Sequence, residues 1–138
     1  MDYASARNGR RIDELKVMLP QRSGSIINIS STLGQKTAPG ASIYAATKHA
    51  VEGLTKTAAL EAASANVRVN AVAPGPIDTG MLERFTGSAE KKAALIVGVP
   101  LKRMGRPEEV AQTILFLASD NAPFITGQIF GVDGGKMA

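Results

Sequence analysis

The 138-residue sequence contains no cysteine, which removes disulfides and thiolate metal sites from consideration. His49 is the single histidine, too little for a histidine metal cluster, so no metal centre is expected. Tryptophan is absent and aromatic residues make up only 4% of the chain, which leaves few platforms for stacking nucleic-acid bases. The longest apolar runs, Ala93–Val97 and Ile114–Ala118, fall far short of the roughly 18–20 residues that cross a bilayer. The first residues, MDYASARNGRR, are basic but lack a following apolar stretch, so a secretory signal is not expected and a cytoplasmic location is. None of the fourteen glycines stands two positions from another. The G-x-G turn that brings backbone close to a dinucleotide pyrophosphate is therefore missing.

What is present describes an ordinary folded domain. Apolar residues make up 44% and charged residues 20%, the balance of a globular protein. The net charge is +4, but no run of five or six basic residues occurs. A solvated basic surface is expected, with no nucleic-acid partner and no membrane; an anionic small cofactor suits the same charge.

Residues 1–10 are polar and aperiodic, and an irregular terminus is expected there. Ile12, Leu15 and Leu19 recur at helical spacing from Arg11 to Leu19, with Pro20 and Gly24 expected to stop that helix. Ser25–Ser30 (SIINIS) reads as a strand apolar on both faces, as in a parallel sheet. A helix from about Ser42 to Ser64 follows, with Val51, Leu54 and Ala58 as its apolar stripe and Glu52 and Lys56 on its exposed side. Its alanines cover more than one face and Gly53 sits mid-helix, which predicts packing on two sides and a homo-oligomer. Val67–Ala73 is a second strand ended by Pro74-Gly75-Pro76, making a βαβ unit with parallel pairing. A short helix near Ala89–Val97, another from Pro107 to about Ala118, and a third strand at Gln128–Val132 complete the chain.

Tyr44 and Lys48 stand four residues apart at the start of the long helix, so both project from one face. A tyrosine hydroxyl, with a pKa of about 10, is a poor base at neutral pH. An adjacent ammonium stabilises the phenolate and makes proton exchange with an alcohol or carbonyl feasible. Ser31, thirteen residues before Tyr44, lies beyond the end of the first strand, and Pro74-Gly75 beyond the end of the second. Ligands of parallel α/β sheets bind outside the carboxyl ends of the strands, so these groups converge on one edge.

The segments NISS, YAATK, NAVAPGPIDTGM, RMGRPEEVA and ITGQIFGVDGG, in that order from about Leu19 to Gly135, resemble successive signatures of the short-chain dehydrogenase/reductase family. The nearest flavour is that of the 3-oxoacyl-carrier-protein reductase-like members, a subgroup that also includes sugar, steroid and alcohol dehydrogenases. The resemblance implies an α/β fold: the C-terminal portion of a Rossmann-like parallel sheet with flanking helices, lacking the first strands, over residues 11–138. It implies that Tyr44 is the general acid/base, that Lys48 lowers its pKa and holds the nicotinamide ribose, and that Ser31 bonds the reacting oxygen, with Ser30 as the second choice. Pro74, Gly75, Ile77 and Thr79 then line the nicotinamide, the Ile77 backbone and Thr79 hydroxyl meeting its carboxamide and phosphates. Residues from about Gly80 to Val97 match the variable substrate lid, and His49 has no assigned role. The implied reaction is NAD- or NADP-dependent interconversion of a secondary alcohol and a ketone.

The same resemblance exposes gaps. The family's glycine loop, its N-N-A-G segment and an asparagine at the right distance before Ser31 have no counterpart; Asn8 stands too close to Ser31. A truncated chain, weak or inactive alone and with an exposed edge on its first strand, is expected. The alternative is a catalytically silent fragment that serves as an oligomerisation or interaction module.

Overall fold

A computed structural model describes residues 13–138; the expected irregular segment 1–10 and the helical position Ile12 lie outside the described residues. Helix α1 (Leu15–Gln21) leads into β1 (Gly24–Ile29), α2 (Ser42–Ala62), β2 (Val67–Pro74), α3 (Gly80–Thr86), α4 (Ala89–Val97), α5 (Pro107–Ala118) and β3 (Ile129–Val132). The strands form one parallel sheet in the order β1-β2-β3. β1 runs beside β2 from Gly24 opposite Val67 to Ile29 opposite Val72. β2 meets β3 from Ala71 opposite Ile129 to Pro74 opposite Val132.

Alternation along the strands sorts the two layers. Ile26, Val67 and Val69 face α2, where Ala58, Ala59 and Ala62 let the helix approach closely, with Leu15 of α1 closing the cluster. The opposite face meets α5. There the Leu117 carbonyl accepts from Ser25 Oγ (2.9 Å) and from Arg68 (2.7 Å). That arrangement places a cation and a hydroxyl at the helix C-terminus, where carbonyls lack intrahelical partners. The central strand β2 is buried along nearly its whole length, Pro74 and Arg68 excepted.

Four expectations need correction. Pro20 does not stop α1, which runs to Gln21; a proline in the last turn forfeits only one backbone bond, and the turn is made by Arg22 at φ 54°. β1 is not buried on both faces: only Ile26 is buried and Ile29 is exposed, because among the described residues no strand pairs with its outer edge. Glu52 does not lie on the exposed side of α2 but is buried, while Leu54 is exposed. The inward stripe is Ala45, Glu52, Thr55, Ala58, Ala59 and Ala62, and Lys48, half-buried, falls in the same register. Finally, Gly80–Thr86 forms a helix that hydrophobic periodicity did not mark.

Candidate active site

The C-terminal ends of the strands carry the residues singled out above. β1 ends at Ile29, and the Ser30 backbone N–H still donates to the Val72 carbonyl (2.7 Å). Ser31 then caps the 3-10 turn Thr32–Gly34, its Oγ accepting from the Leu33 N–H (3.2 Å). A hydroxyl has one hydrogen to give and two lone pairs to accept with. Capping uses a lone pair, so the hydrogen of Ser31 stays available for a ligand oxygen. Ser30 differs: its side chain is buried and donates to Glu52 Oε1 (2.7 Å). Its one hydrogen is committed inside the fold, which separates the two adjacent serines.

Tyr44 and Lys48 occupy the first two turns of α2. The Tyr44 ring is half-exposed, with the Lys48 ammonium 5.5 Å from its centroid, inside the range of roughly 6 Å over which a cation and an aromatic face attract. Lys48 Nζ also donates to the Ile29 carbonyl (2.9 Å). That bond ties the amine to the end of β1, two residues before Ser31. Two of its three N–H donors remain. His49 is on the helix surface, its Nδ1 2.9 Å from the Ala45 carbonyl.

The loop after β2 is braced from two sides. The Gly75 N–H donates to the Val132 carbonyl (3.0 Å), and a Cβ at Gly75 would lie 2.8 Å from Asp133 Cα, so only glycine fits. Pro76 and Asp78 exchange backbone bonds with Gly105 (3.0 and 2.9 Å), aligning Ile77 beside it. The Thr79 hydroxyl accepts from the Leu82 N–H (3.3 Å) at the start of α3. Beyond it, Asp78 pairs with Lys92 of α4 (2.8 Å). The segment that presents Gly105 is itself fixed by Glu109, which binds Arg103 through both oxygens (2.8 and 2.6 Å) and the Arg106 N–H (2.7 Å). Those donors hold the Glu109 carboxyl down to about 2, the Arg103 hydrogen bonds contributing most.

Ser31, Tyr44, Lys48 and the loop from Pro74 to Thr79 thus share one end of the sheet. The sequence reading missed Glu52, Gly105 and Asp133. Glu52 was legible in principle, since it lies four residues after Lys48 and therefore on its face. Among the described residues, no group of three or more His, Cys, Asp or Glu could hold a metal ion.

A family profile described as enoyl-(acyl carrier protein) reductase matches residues 10–136. A 3-oxoacyl-(acyl-carrier-protein) reductase of Thermotoga maritima is 53% identical over 118 residues, 86% of this chain and 47% of the relative. That of Chlamydia trachomatis is 46% identical over 121 residues, 88% of this chain and 48% of the relative. Among solved structures, ElxO with NADP bound superposes with a TM-score of 0.82 at 41% identity, covering 89% of this chain and 50% of that one. A short-chain type dehydrogenase/reductase from Mycobacterium ulcerans gives 0.84 at 40% identity, covering 88% and 44%. The chain spans about half the length of the curated relatives it matches.

Proposed function

The chain belongs to the short-chain dehydrogenase/reductase family, and from that premise we propose that it carries the acid/base half of an NAD(P)-dependent oxidoreductase interconverting a secondary alcohol and a ketone. The observation that carries the reading is the Lys48 ammonium, held at the end of β1 by Ile29 and set against the Tyr44 ring. The residues present suit the nicotinamide end of a cofactor: Lys48 retains N–H donors for a ribose, and the loop from Pro74 to Thr79, at the same end of the sheet, is fixed by backbone bonds to Val132 and Gly105. The pyrophosphate end has no glycine turn among these 138 residues.

When bound, a nicotinamide cofactor supplies or accepts the hydride. Ser31 donates its free hydrogen to the carbonyl oxygen and holds it in place. Tyr44 gives its phenolic proton to that oxygen as negative charge develops there, yielding the alcohol, and Lys48 faces the resulting phenolate. In oxidation the proton returns to Tyr44. The names above divide between enoyl and 3-oxoacyl reductases. A serine and a tyrosine addressing one oxygen favour the carbonyl, because reduction of a carbon–carbon double bond finally protonates carbon. The test is NADPH oxidation in the presence of this chain and the N-terminal half of the Thermotoga maritima relative. Turnover of a 3-oxoacyl thioester is expected; turnover of an enoyl thioester alone overturns the ketone assignment.

A second reading, an oligomerising module without catalysis, draws on Ile43, Leu60 and Phe124, which are 81, 83 and 100% exposed. Large apolar side chains left in water favour burial against another chain. The two readings are compatible, and the oxidoreductase is preferred because exposed apolar residues do not account for the Tyr44–Lys48 geometry.

A further inference from the structure

The buried stripe of α2 is apolar at its C-terminal end and polar towards Tyr44. Three successive turns of the helix bond to β1 or the residue after it: Thr55 accepts from Asn28 Nδ2 (2.9 Å), Glu52 from Ser30 Oγ (2.7 Å), and Lys48 donates to the Ile29 carbonyl (2.9 Å). The Glu52 contact stands out because both partners are almost wholly enclosed, 6 and 2% exposed. A buried carboxyl group next to an alanine-lined core is costly unless it is bonded, and helix packing alone would be satisfied by an aliphatic side chain.

Glu52 grips both ends of the segment that carries Ser31. At one end it accepts the Ser30 hydroxyl. At the other, the bare Cα of Gly34 lies against its carboxyl group, where any Cβ would collide with Glu52 Oε1 and Ser30 Oγ. Gly34 closes the loop by donating its N–H to the Ser31 carbonyl (2.8 Å). We propose that Glu52 is a positioning residue: through Ser30 and Gly34 it locks the turn that aims the Ser31 hydroxyl, and, from the same helix face as Lys48, holds that turn in register with Tyr44. The inference rests on the reading of Ser31 as donor to the reacting oxygen.

Its test has two arms. In the first, amide hydrogen exchange is measured on the chain itself. Ser30→Ala and Glu52→Leu should accelerate exchange at Leu33 and Gly34 by at least about tenfold relative to Val69 and Val72, whereas Glu52→Gln, which keeps an acceptor for Ser30, should stay within about threefold of the parent. Unchanged rates at Leu33 and Gly34, or uniform acceleration including β2, would overturn the proposal. Should Glu52→Leu fail to fold, Ser30→Ala removes only the hydroxyl and decides the same question. In the second arm the N-terminal half of a relative is added. Misplacement of a reacting group by about 1 Å can cost on the order of 10²-fold in rate. Glu52→Leu and Ser30→Ala should therefore lower kcat by roughly 10–100-fold with the cofactor KM nearly unchanged, the double variant no worse than either, and Glu52→Gln should restore the rate. A rise in cofactor KM at constant kcat would contradict the positioning role. Local exchange effects with no turnover in any variant would instead strike the oxidoreductase reading and leave the Glu52 clamp standing.

Discussion

Ser30 and Ser31 put the same hydroxyl to opposite uses. One spends its hydrogen on Glu52 within the interior; the other accepts a backbone N–H and keeps its hydrogen for a ligand. Ser31→Ala in the complemented enzyme should therefore behave like loss of a donor to developing oxyanion charge, a decrease of roughly 10²–10³-fold in kcat, read by steady-state kinetics. A decrease confined to KM would contradict the assignment. Gly75 makes a different single-residue prediction. Because its Cβ would lie 2.8 Å from Asp133 Cα, a backbone atom that cannot swing aside, Gly75→Ala should cost about 1–3 kcal/mol, as overpacking does elsewhere. Denaturant unfolding checks it; a change below ~0.5 kcal/mol would mean that the loop after β2 yields easily.

At the scale of elements, α5 shows how a helix start can steady the site. Pro107 opens it, and the Glu109 carboxylate accepts the N–H of Arg106, the residue before the helix, while holding Arg103. The Glu109 carboxyl is depressed in the fold to about 2 from an ordinary 4.5. Its contribution is therefore fully present above pH 4.5 and is lost as pH falls towards 2. Thermal melts of the parent and Glu109→Gln should differ by a small gap at neutral pH that closes over that acid range and shrinks with added salt; a gap that widens on acidification would contradict it. This helix start was legible in the sequence, because proline followed by two acids announces itself locally. So were the three strands, short apolar runs of which the first lies between Gly24 and Gly34 and the second ends at Pro74-Gly75-Pro76, and the spacing of Tyr44 to Lys48. Glu52 was misassigned because a glutamate four residues before a lysine has the same pattern as a surface pair, and its partner Ser30, just after β1, is twenty-two residues away. α3 is too short for periodicity to announce it, and its start is marked by the Thr79 hydroxyl, which accepts from the Leu82 N–H.

Among the described residues of the whole molecule, a three-stranded sheet ends at β1, whose last residue Ile29 is exposed, and α2 presents Ile43 and Leu60 to solvent. A Cβ at Gly53 would meet nothing within 4 Å in the same chain, which leaves that face of α2 open to another subunit. Two-fold association is the expected outcome of sedimentation at micromolar concentration, and a stable monomer would count against the oligomer. Because no G-x-G turn is present, the chain alone should bind NADP(H) weakly, and low-micromolar calorimetric binding would reveal a pyrophosphate site elsewhere. No helix among the described residues is long and apolar enough to cross a membrane. The acid/base role of Tyr44 is the claim on which the functional account stands, and Tyr44→Phe tests it with little change in shape. In the presence of the complementing half, the account predicts that this variant lowers kcat for a 3-oxoacyl thioester by roughly 10²–10⁴-fold; an unchanged kcat would contradict it.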